Sequence, residues 1–395
     1  MKLWKVVCGG MLFVIMFSTA TELFSNGLNG GRGLTYVKSA WNLKPGYLTL
    51  YARSRFFGKV ASITETNSTA ATYWDVQGAL SLNYGINEHI ELAISPIMYQ
   101  DTHKGESGYN LPDDLFMGVK FGSYNLKGSS LTYGVCLDAR FPTGKYHNLP
   151  LEPYSAGNVE WGFTGMLTYS KDPLYPEENL NVHLNLSYVN HNDVGEILSA
   201  SENDNVSVSA MSQQFLYGLG IKVPTSEFDF SVELYGNGFI QKPPMETAYS
   251  VENYLYITPG VSFKASRWLT LNFGADLRLS SDNDETLYSY GGGLPEDMPN
   301  YPSWRINLGL NALLLPTSVY KTSDKDVLMK KAESRRELFE QIIKEQRETE
   351  SAEEELERIK EERRKAEREL ERLRRILEGD LKKKKENSTT EEEKK

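Results

Sequence analysis

The chain has 395 residues and a formal net charge of −10 at pH 7, and its charges and aromatic residues are unevenly distributed. Residues 321–395 contain basic and acidic side chains in equal number. The whole net charge therefore belongs to the first 320 residues, which also contain all 23 tyrosines and all 6 tryptophans. Neither part is basic enough for a nucleic-acid surface, so we exclude nucleic acid as a partner.

Residues 1–20 have the features of a secretory signal peptide. Two lysines precede an apolar run over 6–17, and Ser18-Thr19-Ala20 offers a small-residue cleavage site. The alternative is a permanent membrane anchor, which the short run disfavours. Cleavage removes Cys8 and leaves Cys136 as the single cysteine, so we predict a secreted chain without an intramolecular disulfide.

Residues 21–45 are rich in Gly and Asn, and we predict an N-terminal periplasmic segment there, with a short extended piece over 34–41. Twelve strand-like segments follow, each close to the length of about 9–11 residues that spans a bilayer as a tilted strand. They lie at 46–59, 73–84, 89–100, 114–124, 130–141, 158–170, 180–191, 211–223, 227–240, 254–265, 268–280 and 302–316.

The hairpin at 114–144 shows how these strands distribute apolar and polar residues. Side chains alternate faces along a strand, so period-2 patterning gives each strand one apolar face and one polar face. In the second strand of the hairpin, Leu131, Tyr133, Val135 and Leu137 alternate with Thr132, Gly134, Cys136 and Asp138. A soluble sandwich would bury the apolar face, whereas a membrane barrel would turn it toward lipid.

The lengths of the connections distinguish these two folds. Short connections fall at 85–88, 125–129, 224–226 and 266–267, with a middling one at 171–179, and longer ones alternate with them. Alternating short and long loops over an even number of strands are typical of outer-membrane barrels. We therefore predict an all-β transmembrane barrel of about 12 antiparallel strands over 46–320, in the outer membrane of a Gram-negative-type bacterium.

Charged residues on the polar faces would share the lumen of this barrel. They are Glu91, Lys120, Asp138, Arg140, Glu160, Lys222, Asp229, Glu233, Lys264, Asp276, Arg278 and Arg305. One interpretation is a lining that sets the selectivity of a narrow channel. The other is a ladder of paired charges that fills the lumen, since an unpaired charge out of water is costly. Both can hold in a barrel of this size.

The sequence contains no recognisable catalytic motif. His183, Asn185 and Ser187 share one strand but lack the local motif of an outer-membrane phospholipase, and a lumen-lining role is the simpler interpretation. Asp101, His103, Asp113 and Asp114 could suggest a protease, although solvated loops explain them equally well. We predict that the protein is not an enzyme and has no cofactor and no metal site.

The hydrophobic period changes from 2 to about 3.5 after residue 325. We predict a charged helix or coiled coil over 321–381, followed by a disordered tail over 382–395. Its seam consists of Leu338, Ile342, Ala352, Leu356, Ile359, Ala366, Leu370, Leu373 and Leu377. The alternative is a lone helix supported by Glu-to-Arg and Glu-to-Lys pairs four residues apart. We expect this helix in the periplasm, with self-association or cell-wall contact.

The hairpin also carries a family resemblance. Asp114-Leu115, Gly118-Val119-Lys120 and the closing Arg140-Phe141-Pro142-Thr143-Gly144 resemble the transporter-like outer-membrane proteins of the meta-pathway phenol-degradation family. The likeness covers roughly 46–320 and implies a barrel for passage of small, hydrophobic or aromatic compounds. One departure is the 75 residues that follow Tyr320, because such proteins usually end at the last strand.

Together these patterns predict an outer-membrane channel or transporter for small solutes, with outer-membrane lipid and a small-molecule solute as its partners. The alternative is a structural envelope protein, in which the barrel anchors a periplasmic coiled-coil spacer or tether.

Overall fold

A computed structural model describes residues 32–321, with breaks at 63–69, 104–108, 127–128, 173–177, 200–203, 282–284 and 288–299. Beyond them it describes 352–368 and scattered positions between 333 and 371. The chain divides into two compact units, Met1–Tyr320 and Lys321–Lys395. The predicted signal peptide and the predicted tail over 382–395 lie outside the described residues.

The first unit is a closed antiparallel barrel of twelve strands, as predicted. Each strand pairs with its neighbours in sequence, and the first strand pairs with the last to close the barrel. The strands are β1 (Leu48–Ser62), β2 (Ala70–Gly85), β3 (Ile90–His103), β4 (Leu115–Asn125), β5 (Leu131–Phe141), β6 (Glu160–Ser170), β7 (Asn181–Asn190), β8 (Gln213–Pro224), β9 (Phe228–Gln241), β10 (Leu255–Ser266), β11 (Leu269–Arg278) and β12 (Trp304–Leu315). A short helix, α1 (Ser318–Lys321), follows.

The outer face of the barrel is apolar and the inner face is polar. In β5, Val135 and Leu137 are 43% and 51% exposed. Cys136, which lies between them, and Asp138, which follows them, are buried. Every strand presents an apolar side chain outward, for example Phe56, Leu82, Ile94, Met117, Val135, Trp161, Leu186, Leu219, Phe230, Phe263, Phe273 and Leu308. In a soluble protein the apolar face of a strand is usually buried, whereas here it is the exposed face. This distribution suits a lipid environment.

The two ends of the barrel differ in their connections. Turns at 86–89, 126–130, 171–180, 225–227 and 267–268 form the short-turn end, where β1 begins and β12 ends. The connections 63–69, 104–114, 142–159, 191–212, 242–254 and 279–303 form the long-loop end. This alternation agrees with the pattern predicted from the sequence.

Residues 32–45, here called the plug segment, lie inside the barrel. The predicted periplasmic segment is 21–45, and the structure describes 32–45 of it, in contact with the inner wall. Ala40 is fully buried against Cys136 of β5 and Met166 of β6. A turn at 44–47, with Gly46 at a φ of 77°, then leads into β1 beside Gly85. The interior thus contains a stretch of the protein's own chain.

In the second unit, residues 352–368 form helix α2, which has 17 residues and a length of about 26 Å. The predicted seam residues Leu356 and Ile359 are 51% and 65% exposed, and Leu370, which is also helical, is 66% exposed. Other seam residues, Leu338, Ile342, Leu373 and Leu377, lie outside the described residues. The coiled coil stays a prediction.

Candidate functional site: the plugged lumen

The structure brings the predicted lumen charges together on the inner face. Nine of the twelve are buried, namely Glu91, Lys120, Asp138, Arg140, Glu160, Asp229, Glu233, Asp276 and Arg305. The other three, Lys222, Lys264 and Arg278, are half-buried. Their placement agrees with the predicted faces of the strands, while their predicted role as a selectivity lining stays a prediction.

Most of these charges are paired with each other. Lys120 Nζ lies 3.0 Å from Glu91 Oε2, and Arg305 Nε lies 3.0 Å from Asp276 Oδ2. Arg140 contacts Asp114 at 2.6 Å, and its other partner is Glu160 at 3.5 Å. The ion pairs cross neighbouring strands, because opposite residues in a barrel lie within reach of long side chains. Ion pairs between neighbouring strands therefore occupy much of the described inner face.

Asp138 binds the plug segment through an ion pair. Lys38 Nζ lies 2.7 Å from Asp138 Oδ2, and both side chains are buried. The sequence pattern predicts Asp138 as a lumen residue but does not indicate a partner for it on the plug segment. Because an unpaired carboxylate in this environment would be costly, Lys38 and Asp138 depend on each other.

Side chains of the barrel wall satisfy the backbone of the plug segment. Glu233 of β9 accepts the N–H groups of Thr35, Tyr36 and Val37 at 2.8–2.9 Å. Three successive N–H groups around one carboxylate form an anion-binding concavity, a geometry that backbone turns commonly provide. The wall residue and the plug thus complete each other's hydrogen bonds.

Further along the plug segment, other strands take over. Asn185 of β7 accepts from the N–H of Lys38 at 2.6 Å and donates to its carbonyl at 2.8 Å. Thr168 of β6 accepts from the N–H of Ala40, and Glu91 of β3 accepts from that of Leu43. The plug segment therefore crosses the inner wall from β9 to β3, and it is held mainly through side chains of the wall.

Tyr36 anchors the plug segment in a group of buried tyrosines. Its ring stacks on Tyr235 with a centroid distance of 4.1 Å, and its hydroxyl donates to Asp276 Oδ2 at 2.5 Å. Tyr235 stacks in turn on Tyr256 at 5.4 Å. The hydroxyl of Tyr301, in the same cluster, donates to the carbonyl of Ser250 in the long-loop end. Aromatic contacts thus connect the plug segment to the long loops.

Two wall glycines leave room for the plug segment. A Cβ on Gly122 would lie 2.4 Å from the carbonyl oxygen of Ala40, and a Cβ on Gly220 would lie 2.5 Å from Leu34 Cδ1. Any larger residue at Gly122 would collide with backbone, which cannot move aside as a flexible side chain can. Glycines on inner faces are the one signal in the sequence that could have indicated a packed interior.

The long loops fold over the other end of the barrel. Leu151 is fully buried against Phe57 and Tyr73, and Tyr154 packs with Ala248 and Val251 from another loop. The described parts of these loops therefore cover the lumen. The sequence predicts their lengths but not this packing, because their residues have no regular period.

Glu152 is a buried carboxylate within this loop cover. Its Oε1 accepts a hydrogen bond from Thr102 Oγ1 at 2.6 Å. Burial and, next, the charge of Asp113 raise the pKa of Glu152 to about 8, and the bond from Thr102 opposes part of this shift. Burial and the neighbouring Asp114 also raise the pKa of Asp113. Glu152 is therefore protonated at neutral pH in the folded protein.

His183 and Asn185, two of the residues considered for catalysis, have structural partners. His183 Nδ1 lies 2.9 Å from Thr168 Oγ1, and Asn185 is bonded to the plug segment. Within the described ranges, no three His, Cys, Asp or Glu side chains come together as a metal site. No helix in the part of the chain that the structure describes is long and apolar enough to cross a membrane.

A polar cavity of about 230 Å³ remains beside the plug segment at the short-turn end. Its walls include Thr35 and Trp41 of the plug segment and Lys222, Asp229 and Asn272 of the barrel. Asp229 contacts Lys222 at 2.9 Å, and a second lysine, on β10, contacts it at 2.6 Å. The plug segment thus fills one side of the described lumen, and this polar cavity remains on the other side.

No protein-family profile matches the sequence, and no curated protein matches it. Solved structures resemble it distantly. The NanC porin is 11% identical, with a TM-score of 0.43, and the match covers 67% of this chain and 100% of that one. An outer membrane channel from Pseudomonas putida F1 is 12% identical, with a TM-score of 0.41, covering 70% and 98%. The P. putida toluene transporter TodX is 12% identical, with a TM-score of 0.35, covering 74% and 98%. Likeness at this level adds nothing to the geometry of this barrel.

Proposed function

We propose that the protein is an outer-membrane channel for small solutes whose lumen is closed at rest by residues 32–45. The apolar outer belt supports the membrane location, because exposed apolar side chains on every strand match lipid rather than water. The observation that carries the closed state is the bonding of the plug segment to wall side chains, above all to Glu233. Such a contact can open without breaking the strand pairs of the barrel.

We propose that the short-turn end faces the periplasm, as in outer-membrane barrels with short periplasmic turns. The signal peptide over 1–20 would direct the chain there and be cleaved. The residues that follow β12, including the predicted coiled coil, would then be periplasmic. Protease treatment of intact cells and of spheroplasts tests this orientation: the C-terminal residues should be cleaved only in spheroplasts.

Two hypotheses describe the class of solute that the channel would carry. Resemblance to the meta-pathway phenol-degradation family suggests hydrophobic or aromatic compounds, and the buried tyrosines around Tyr36 offer aromatic surface. The cavity beside the plug segment is polar and favours hydrophilic solutes. The described inner face is dominated by charges and amides, so we favour hydrophilic solutes.

A flux measurement in liposomes tests the channel. The full-length protein and the variant Gly122→Val, which displaces Ala40, are reconstituted with arabinose or phenylalanine as solutes. We expect slow swelling with the native protein and faster swelling with the variant, most with arabinose. The control is Gly165→Val, because Gly165 has only ordinary contacts. No flux from either protein, with the folded barrel intact on gels, would contradict the channel.

The filled lumen also favours the second candidate, a structural barrel that anchors a periplasmic tether. The exposed apolar side chains of Leu356 and Ile359 would then mediate self-association, and the basic run 382–385 would contact the cell wall. Deletion of 325–395 separates the candidates. Unchanged solute flux with altered envelope spacing would favour the tether, whereas altered flux would favour a role for the helix in transport.

A further inference from the structure

The polar cavity at the short-turn end lies between the barrel wall and the plug segment. Strands β1 and β7 to β12 line it on one side, and residues 32–35 and Trp41 line it on the other. Arg32 lies over the ring of Trp41, with its guanidinium carbon 5.1 Å from the ring centroid. The cavity has a volume of about 230 Å³. A cavity of about 150 Å³ accommodates a benzene ring, and drug-sized ligands occupy about 300–1,000 Å³, so one six-membered ring with its substituents fits here.

The ionisable side chains at this cavity have partners within the protein. Lys222 contacts Asp229 at 2.9 Å, and Lys264, which does not line the cavity, contacts the same carboxylate at 2.6 Å. Beside Thr35, the carboxylate of Glu233 accepts three backbone N–H groups of the plug segment. An ionic solute would have to compete with these contacts, and separating a charge from its partner away from bulk water costs free energy. The cavity therefore does not favour an ion.

Neutral polar groups on the barrel side of the cavity differ from these charges. Five such side chains line it, and none of them has a hydrogen-bond partner among the residues that the structure describes. They are Ser231 of β9, Ser262 of β10, Thr270 and Asn272 of β11, and Asn311 of β12. Ser262 pairs with Asn272 across β10 and β11, and Thr270 pairs with Asn311 across β11 and β12, so they form one continuous patch.

This patch determines which solutes the cavity can bind. Hydroxyl and amide groups both donate and accept hydrogen bonds, and a solute with several hydroxyls offers the same capacity in return. An apolar solute would remove water from the patch without replacing the lost hydrogen bonds, which lowers affinity. The free groups of the wall are thus neutral, and they match neutral hydroxyls.

We propose that this cavity binds a small neutral polyhydroxylated solute of the size of a monosaccharide. The hydroxyls of the solute bond to the patch on β9 to β12, and its opposite side contacts residues 32–35 of the chain that closes the lumen. This inference rests on the proposed channel function and names its class of solute.

Saturation-transfer NMR on the full-length protein tests the site without requiring flux. The protein is kept in lauryldimethylamine oxide, because a detergent with a sugar headgroup would compete for the cavity. Glucose is the probe, and tetrahydropyran-2-methanol is a counterpart with the same ring but only one hydroxyl. We expect glucose to bind about tenfold more tightly than this counterpart, since each hydrogen bond to the patch adds to affinity. Equal binding of the two, or no glucose binding, would overturn the proposal.

Glucuronate tests whether the charges at the cavity are free to bind a solute. It has the ring of glucose with a carboxylate in place of the terminal CH₂OH group. We expect glucose to bind at least as tightly as glucuronate, because Lys222 already contacts Asp229. Tighter binding of glucuronate would overturn the preference for a neutral solute and show that Arg32 or Lys222 attracts an anion.

Two variants locate the binding. Asn272→Ala should weaken glucose binding about tenfold, while Asn87→Ala, at an exposed position in a turn at the same end, should leave it unchanged. Thr270→Val keeps the shape of the wall, removes one hydroxyl and should weaken glucose binding about threefold. If Asn272→Ala fails to fold, Thr270→Val decides. Native glucose affinity in the folded variants would overturn the proposal.

The outcome separates this inference from the channel itself. Glucose binding without flux in liposomes would leave the site standing and reject the channel. Flux without preferential glucose binding would support the channel and reject the site.

Discussion

The carboxylate of Glu233 and the backbone N–H of Tyr36 lie 2.8 Å apart, although 197 positions separate them in the sequence. The same carboxylate accepts the N–H groups on either side of Tyr36. A wall residue of β9 thus organises a segment that precedes the first strand. Removing the carboxylate would leave two buried donors and one part-buried donor without this acceptor, which is costly inside a protein.

Replacing Glu233 should therefore loosen the plug segment. Cys136 reports this loosening, because it is 4% exposed and packs against Ala40 of the plug segment. In Glu233→Ala we expect maleimide to label Cys136 about tenfold faster or more than in the native protein, since the opening of the plug becomes less costly. Mass spectrometry of the folded protein in detergent measures the rate.

The matched control is Glu227→Ala, an exposed carboxylate in the turn before the same strand. It should label at the native rate. Equal labelling rates in Glu233→Ala and the native protein would show that the plug segment is held by other contacts.

The pair of Lys38 and Asp138 should contribute to stability through its burial. Lys38→Met leaves the carboxylate of Asp138 without its partner, and breaking a buried pair from one side costs about 3–5 kcal/mol. We expect a smaller loss, about 2–3 kcal/mol, because the plug segment can move and readmit water. Urea unfolding followed by gel migration measures the loss.

Adding Asp138→Asn to Lys38→Met should recover most of that stability, since the uncompensated charge is then gone. Lys44→Met, at an exposed position of the same segment, should have no measurable effect. A double variant as unstable as Lys38→Met would indicate that packing rather than charge holds this site.

The raised pKa of Glu152 should make the stability of the folded protein depend on pH. Its pKa is raised from the ordinary value of 4.5 to about 8 in the folded protein, so the folded state binds a proton that the unfolded state has lost. Stability should therefore fall as the pH rises from about 4.5 to about 8 and change little above that range. Asp113, Asp75 and Arg140 also act on this carboxylate and are common to the native protein and the variant.

Glu152→Gln removes the titration while retaining an acceptor for Thr102. Between pH 5 and pH 8.5, the temperature at which half of the folded band disappears should fall by at least ~3 °C more in the native protein than in the variant. Parallel pH profiles for the two proteins would contradict the buried, protonated state of Glu152.

The exposed seam of α2 should support self-association. Leu356→Ala with Ile359→Ala removes apolar area from the seam and should shift the full-length protein toward smaller species in sedimentation. Glu355→Ala with Lys360→Ala changes exposed positions off the seam and should have no effect. A native protein that is already monomeric at all concentrations would refute association through the helix.

The barrel could be predicted from the sequence because its determinants are local. The alternation of Val135 and Leu137 with Cys136 and Asp138 requires only a strand with two different surroundings. The alternation of short and long connections then selects a membrane barrel over a sandwich. The first pattern can be read within a few residues and the second from the spacing of consecutive strands, and the structure follows both strand by strand.

The plug segment could not be predicted, because its determinants are distant. The partners of Tyr36 lie on β9 and β11, far along the chain, and the segment itself has no period of 2 or 3.6. Its backbone bonds go to side chains such as Asn185 rather than to a neighbouring strand, so no pairing pattern marks it. The predicted lumen charges lie on the inner face, but Lys38, the ion-pair partner of Asp138, lies on a segment that the sequence led us to expect in the periplasm.

Single-channel recording in planar bilayers tests most directly whether residues 32–45 close a conducting barrel. The native protein should be silent or open briefly, whereas the double variant Glu233→Ala and Gly122→Val should give stable conductance steps, because both changes release the plug segment from the wall. A double variant that remains silent while its barrel stays folded and Cys136 becomes accessible would contradict the account.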